Sequence, residues 1–170
     1  MMTGVTGTPG TGKTSIAAEL AQRGHRVVRL TDTVKPYIIE EDHCRETLVV
    51  DVDRWAAEFK PVDGIVEGHL AHLLSCDRVV VLRCRPDLLR ERLAPRNYLR
   101  EKVAENVEAE ALDVILIETL EGHPDEHVLE LDTTALSTGE CADRIEQFIR
   151  GELPASCGSI DWTDYLELGT

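Results

Sequence analysis

Lysine is almost missing from this chain of 170 residues: Lys13, Lys35, Lys60 and Lys102 stand against fourteen arginines. Basic residues as a group are outnumbered 32 to 18 by acidic ones, for a net charge of −14. A surface that negative repels polyanions, which argues against broad, non-specific binding to nucleic acid. It attracts basic protein partners instead. Acid-rich, lysine-poor composition fits a high-salt cytoplasm, and the arginine preference also fits a GC-rich genome. No CxxC pair joins the five dispersed cysteines, Cys44, Cys76, Cys84, Cys141 and Cys157, so no zinc site is expected and they read as buried or idle thiols. Long apolar runs are absent too. The strand-like stretch Val79 to Leu82 is far too short to span a bilayer, and no secretory pattern precedes Lys13, so a cytoplasmic location is expected.

What is present is one domain's worth of chain with an ordinary apolar content. "MMTGVTG" reads as a strand, "KTSIAAELAQRG" as a helix ending at Gly24, and "HRVVRL" as a second strand. "TDTVKPYIIEEDH" suggests a short helix and an irregular turn, because Pro36 disfavours a long helix. "ETLVVDVDRWAAEF" gives an extended piece and a helix, with Asp51 and Asp53 as structural or capping residues. "DGIVEGHL" and the β-branched "RVVVLRC" are strands. "RPDLLRERLAPRNY" is a helix opening at Pro86 and broken near Pro95. Leu99, Val103, Val107, Ala111 and Ile115 then recur every four residues and predict one long helix, stopped at Gly122–Pro124. "HVLELD" and "GECADRIEQFIRG" close the series. This alternation predicts an α/β fold: a parallel sheet, helices on both faces, and a ligand at the strand C-terminal ends.

The chemistry concentrates in Gly7-Thr-Pro-Gly-Thr-Gly12-Lys13-Thr14, which matches G-x-x-x-x-G-K-[ST] between a strand and a helix. Its glycines let successive N–H groups turn inward on anionic oxygens, and the helix N-terminus adds a positive dipole end. Lys13 is placed for the β- and γ-phosphates of a nucleotide and Thr14 for Mg²⁺. Glu67, ending the "DGIVE" strand, is the candidate carboxylate for that metal. His69 is a candidate for orienting a water or a phosphate, with an ordinary loop histidine equally compatible; for His72 the ordinary reading is favoured. Of the run Arg83, Arg85, Arg90, Arg92, Arg96 and Arg100, the pair Arg92 and Arg96 flanks the helix break, where a lid would bring cations to a transferring phosphoryl group. Arg85, Arg90 and Arg100 read as solvated surface residues. In a kinase of this size the segment about 31–60 would form the acceptor pocket, with Lys35 as the phosphate-binding charge and Arg45 as second choice. Thr133 and Thr134 are positional candidates for a base edge.

The "TGTPGTGKT" loop, "VEGHL", "VVVLRCRPDLLRERL", "PRNY" and "KVAENVEAE", in this order from about residue 3 to 150, resemble the archaeal putative adenylate kinases. These are relatives of adenylate kinase isoenzyme 6, the coilin-interacting nuclear ATPase. The resemblance implies a P-loop fold of nucleoside-monophosphate kinase type: a five-stranded parallel sheet of order 2-3-1-4-5, an acceptor region about 31–60 and a short lid about 95–100. Residues 1–150 would form the kinase domain and 151–170 a tail that packs back or docks a partner. It implies Mg²⁺-dependent transfer of the ATP γ-phosphoryl to AMP, a slower ATPase, and a role in small-subunit ribosome maturation through a basic ribosomal protein. An ATPase assembly factor with little AMP kinase activity, or a kinase of another small acceptor, are the alternatives. By position, Gly10, Gly12, Lys13, Thr14 and Ser15 hold phosphates and Mg²⁺, Glu67 and His69 match the strand-end pair, and Arg96 matches the lid arginine. The sequence departs from the family at three points. Glu67 stands where aspartate is frequent, Lys35 where an arginine fork usually faces AMP, and Asn97 where the lid often has glycine.

Overall fold

The computed structural model describes residues 1–42, 47–96 and 98–169. Arg45, Cys44 and Asn97 lie outside these described residues. In chain order the elements are β1 (Met2–Gly7), α1 (Lys13–Gln22), β2 (Val27–Arg29), α2 (Leu30–Thr33), β3 (Ile38–Asp42), β4 (Thr47–Val50), α3 (Val52–Glu58) and β5 (Gly64–Glu67). There follow β6 (Arg78–Arg83), α4 (Pro86–Leu93), α5 (Arg100–Ala111), α6 (Val114–Gly122), β7 (Val128–Asp132) and α7 (Thr138–Ile149).

Five of these strands form one sheet in the order β2-β5-β1-β6-β7, and every pairing in it is parallel. With the β3–β4 ribbon set aside, this is the 2-3-1-4-5 order. The pleat decides which helices lie where. Val80 and Leu82 point to one face and pack with Ile16 and Leu20 of α1 and Ala142, Ile145 and Phe148 of α7. Val79 and Val81 point to the other, against Leu30, Trp55 and Leu116. Burial on both faces explains why "VVVL" is apolar without alternation. Each such side chain contributes about 1.5–3 kcal/mol on leaving water.

The helix ends follow their local chemistry. After α1, Gly24 takes φ 97°, so His25 N–H reaches Leu20 O at 3.1 Å and Gly24 N–H reaches Ala21 O at 3.1 Å, closing the last turn. Ser137 and Glu140 cap α7 reciprocally, each side chain accepting from the other residue's N–H. Asp51 caps α3 by accepting from Arg54 N–H at 3.1 Å.

Two expectations need correction. The stretch after Pro36 is no irregular turn: β3 and β4 pair antiparallel as a separate ribbon. The register slips between Ile38 and Glu40, and Ile39, Leu48 and Val49 are exposed, so no clean two-residue alternation marks the strands. Nor is there one long helix after the lid. The chain breaks between α5 and α6, where Asp113 adopts the left-handed φ of 57°, a conformation that the short polar side chain of aspartate tolerates. The Asp113 carboxylate turns inward there and accepts from Arg83, while Leu112 is left exposed.

Beyond α7 the tail returns to the sheet. Glu130 N–H donates to Ser156 O at 2.7 Å and Ser156 N–H to Val128 O at 3.1 Å, a short parallel bridge that covers part of the open edge of β7. Further along, Trp162 and Tyr165 meet edge to face with ring centroids 6.0 Å apart.

Candidate functional site

The strand C-terminal ends converge on the loop between β1 and α1. Two of its glycines are fixed by space. A Cβ on Gly7 (φ 142°) would lie 2.5 Å from Leu82 O, and one on Gly10 (φ 95°) would lie 2.8 Å from Leu89 Cδ1. The loop is thereby wedged against β6 and α4. α1 begins after Gly12, its N-cap, which offers no side-chain cap, so the first-turn N–H groups, without intrahelical partners, face the crevice as anion donors. Lys13 folds back over the loop, its Nζ donating to Gly7 O at 2.7 Å and Thr8 O at 2.9 Å. Burial pushes its pKa down to about 8, with Glu67 opposing, Arg96 reinforcing and Glu110 opposing the shift. The lysine sits in a site that disfavours charge unless an anion joins it.

Glu67 ends β5, buried, in register with Val5 of β1 and Arg29 of β2. Thr14 Oγ1 lies 3.5 Å from Glu67 Oε1. This hydroxyl and carboxylate are hard oxygen donors of the type Mg²⁺ takes. No group of three or more His, Cys, Asp or Glu positioned for a metal occurs among the described residues. His69 follows just beyond, on the crevice side of Lys13. Desolvation, then the Lys13 charge, then His72 push its pKa down, so the ring is a neutral hydrogen-bonding group near pH 7.

A cavity of about 330 Å³ opens on the other side of the loop, lined by Gly10, Thr11, Gly12, Ser15 and Ile16 together with Arg92, Arg96, Thr133 and Leu136. Arg92, half-buried, directs its guanidinium to Cys84 Sγ at 3.4 Å and to Thr133 O at 3.4 Å. Arg96 is exposed at the rim. The structure therefore brings Gly10, Gly12, Ser15, Arg92 and Arg96 around one cavity and Thr14 and Glu67 beside it. Thr133 lines the cavity, but its hydroxyl is committed to Thr11 O and Arg83 O, each at 2.9 Å. Thr134 Oγ1 accepts from Arg85 N–H at 2.9 Å. Lys35 lies apart on the acceptor side, 66% exposed and 2.6 Å from Asp32. Arg85 pairs with Asp87 at the surface, and Arg90 and Arg100 are exposed.

Two buried residues received no functional assignment from the sequence. His72, read there as an ordinary loop histidine, is buried, 3.0 Å from Thr6 Oγ1 and 2.9 Å from Glu118 Oε2. Arg83, the one member of the arginine run left unassigned, is wholly enclosed. Its guanidinium donates to Glu110 Oε1 at 2.8 Å and to Glu110 O at 3.0 Å, and also meets Glu130 and Asp113. Desolvation works against its charge, but the surrounding carboxylates outweigh that, Glu110 foremost, and hold its pKa above the ordinary arginine value. The one sequence signal for this network is a glutamate, Glu110, on the same helical face as Val103 and Val107.

A family model described as an AAA domain matches residues 4–113. The chain is 47% identical to a protein of Archaeoglobus fulgidus named "Putative adenylate kinase", across 98% of this chain and 94% of that protein. A protein of the same name from Natronomonas pharaonis is 44% identical, across 98% of this chain and 100% of its own length. Among solved structures, a shikimate kinase from Acinetobacter baumannii in complex with shikimate superposes with a TM-score of 0.56 at 19% identity, covering 89% of this chain and 93% of that one. At that identity the likeness speaks to the fold alone. No helix among the described residues is long and apolar enough to cross a membrane.

Proposed function

The chain belongs to the family of archaeal putative adenylate kinases, and from that premise we propose that it moves the γ-phosphoryl group of ATP onto AMP, giving two ADP. The observation that carries the reading is the meeting of the phosphate loop, the Thr14–Glu67 oxygen pair and two arginines at one end of the sheet. The N–H groups of the loop and of the first turn of α1 take the polyphosphate. Lys13 exchanges the Gly7 and Thr8 carbonyls for β- and γ-phosphate oxygens. Thr14 and Glu67 hold Mg²⁺, which neutralises phosphate charge when bound. Arg92 and Arg96 face the cavity and meet the charge that spreads over the transferring group. His69, neutral, orients a phosphate or a water by hydrogen bonding. Lys35, with Arg45 as second choice, serves the AMP phosphate within an acceptor region about 31–60. The kinase domain spans 1–150, with residues 151–170 as its tail.

The test is coupled measurement of ADP formation from Mg-ATP with AMP, with ATP alone, and with other monophosphates, shikimate and gluconate in place of AMP. AMP should raise turnover well above the ATP-only rate. If it does not, the adenylate kinase reading fails, and the best acceptor in the panel replaces it. Lys13→Ala should lower turnover by about 10²–10³-fold or more while the melting curve stays two-state and native-like.

A second reading rests on the net charge of −14. A nucleotide-driven assembly factor with weak ATPase activity would bind a basic small-subunit ribosomal protein through such a surface. It requires ATP-sensitive capture of that protein at low salt, and failure to retain any ribosomal protein under those conditions removes it.

A further inference from the structure

Glu110 is buried in the last turn of α5, an expensive place for a carboxylate without partners. Its two oxygens are used differently. Oε1 accepts from Arg83 Nε at 2.8 Å and from Cys84 N–H at 3.0 Å. Oε2 accepts from the hydroxyl of Thr8 at 2.6 Å, across 102 residues of sequence. An ion pair with Arg83 explains the first oxygen and leaves the second unexplained, since Thr8 belongs to the phosphate loop.

Thr8 is a hub of that loop. Its carbonyl accepts from Lys13 Nζ at 2.9 Å, from Thr11 Oγ1 at 2.9 Å and from Thr11 N–H at 3.2 Å. Rotation of this one residue would move the resting place of Lys13 and redirect the loop's turn together. The hydroxyl bond to Glu110 opposes that rotation. Glu110 itself is held by Arg83, and Arg83 by Glu130 and Asp113, so the restraint reaches back to the end of β6, the middle of β7 and the break after α5.

We propose that Glu110 is a positioning residue for phosphoryl transfer: through the Thr8 hydroxyl it holds the phosphate loop and Lys13 in the geometry the γ-phosphoryl group requires. This rests on the phosphate-loop reading above. The restraint acts on orientation, so it bears on turnover more than on acceptor binding.

The experiment compares wild type, Thr8→Val, Thr8→Ser and Lys13→Ala in the steady-state ATP-plus-AMP assay, each below its measured melting temperature. Thr8→Val should lower kcat about tenfold or more, with KM for AMP within about twofold of wild type. Thr8→Ser, which restores the hydroxyl, should return kcat to within about threefold. Thr8→Ala, which removes the hydroxyl without setting a methyl against the carboxylate, serves if the valine variant does not fold and should give the same split. Wild-type kcat in Thr8→Val or Thr8→Ala overturns the proposal, and so does a Thr8→Ser enzyme as slow as Thr8→Val. If Lys13→Ala is inactive while Thr8→Val is normal, only the Glu110 proposal falls. A fully active Lys13→Ala enzyme removes the phosphate-loop reading and this proposal together.

Discussion

The two sides of the crevice treat charge in opposite ways. On the phosphate-loop side a network of charged groups is sunk behind the loop and bonded from several directions: Arg83 and Glu110 each keep 2% of the side chain exposed, and Glu130 keeps 1%. On the acceptor side the ion pairs stand in water, as Lys35 with Asp32 at 66% and 72% exposure and Arg54 with Glu58 at 65% and 49%. A buried multidentate network fixes positions before any ligand arrives, because no member can move without stranding another. An exposed pair exchanges its partner for a ligand oxygen at little cost. The donor end is thus built rigid, and the acceptor end is built from groups free to re-pair.

The largest effect that would sharpen this contrast is on stability. Arg83→Met leaves Glu110 and Glu130 buried without their common cation, and breaking such a network costs about 3–5 kcal/mol, readable as a lower urea midpoint with unchanged slope. A loss below about 1 kcal/mol would break the comparison, since the carboxylates would then be finding water. Next comes Arg96→Ala. This residue is exposed at the cavity rim, so its removal should leave the fold alone and lower kcat by about 10–100-fold, with KM for ATP little changed.

These predictions touch residues that the sequence revealed unequally. The loop from Gly7 to Ser15 was legible because its whole geometry is encoded in contiguous residues between a strand and a helix. The central strand β6 was legible for a similar reason: burial on both faces leaves the short β-branched run Val79–Val81. The Arg83 network was not, because its partners lie 27, 30 and 47 residues away. In the sequence, Arg83 is one arginine among six in eighteen positions. The break at Asp113 was hidden because α5 and α6 each continue the same four-residue stripe across it. The β3–β4 ribbon was hidden by its slipped register and exposed apolar residues.

A smaller effect follows from Lys13. Its pKa in the free protein is pushed down to about 8, and bound polyphosphate raises it. The charged form binds, so affinity for Mg-ATP is fully present below about pH 8 and is lost as pH rises through the alkaline range. Calorimetry should find binding about tenfold weaker at pH 9 than at pH 7. A flat profile to pH 9 would show that desolvation at the loop is much weaker than its enclosed geometry implies.

The smallest structural effect, and the sharpest probe of the acceptor side, is at Lys35. Its pairing with Asp32 is exposed on both partners, so Lys35→Ala should move the melting temperature by no more than about 2 °C. If Lys35 trades Asp32 for the AMP phosphate, the same variant should raise KM for AMP several-fold and leave KM for ATP unchanged, the reverse of the split expected at Thr8. Lys35→Arg supplies a planar fork that binds phosphate oxygens in pairs, and should lower KM for AMP below the wild-type value. An unchanged KM for AMP in both variants would strip Lys35 of its role. The contrast between the two sides would survive that result, but the acceptor phosphate would then have to be sought among the other cations of the segment.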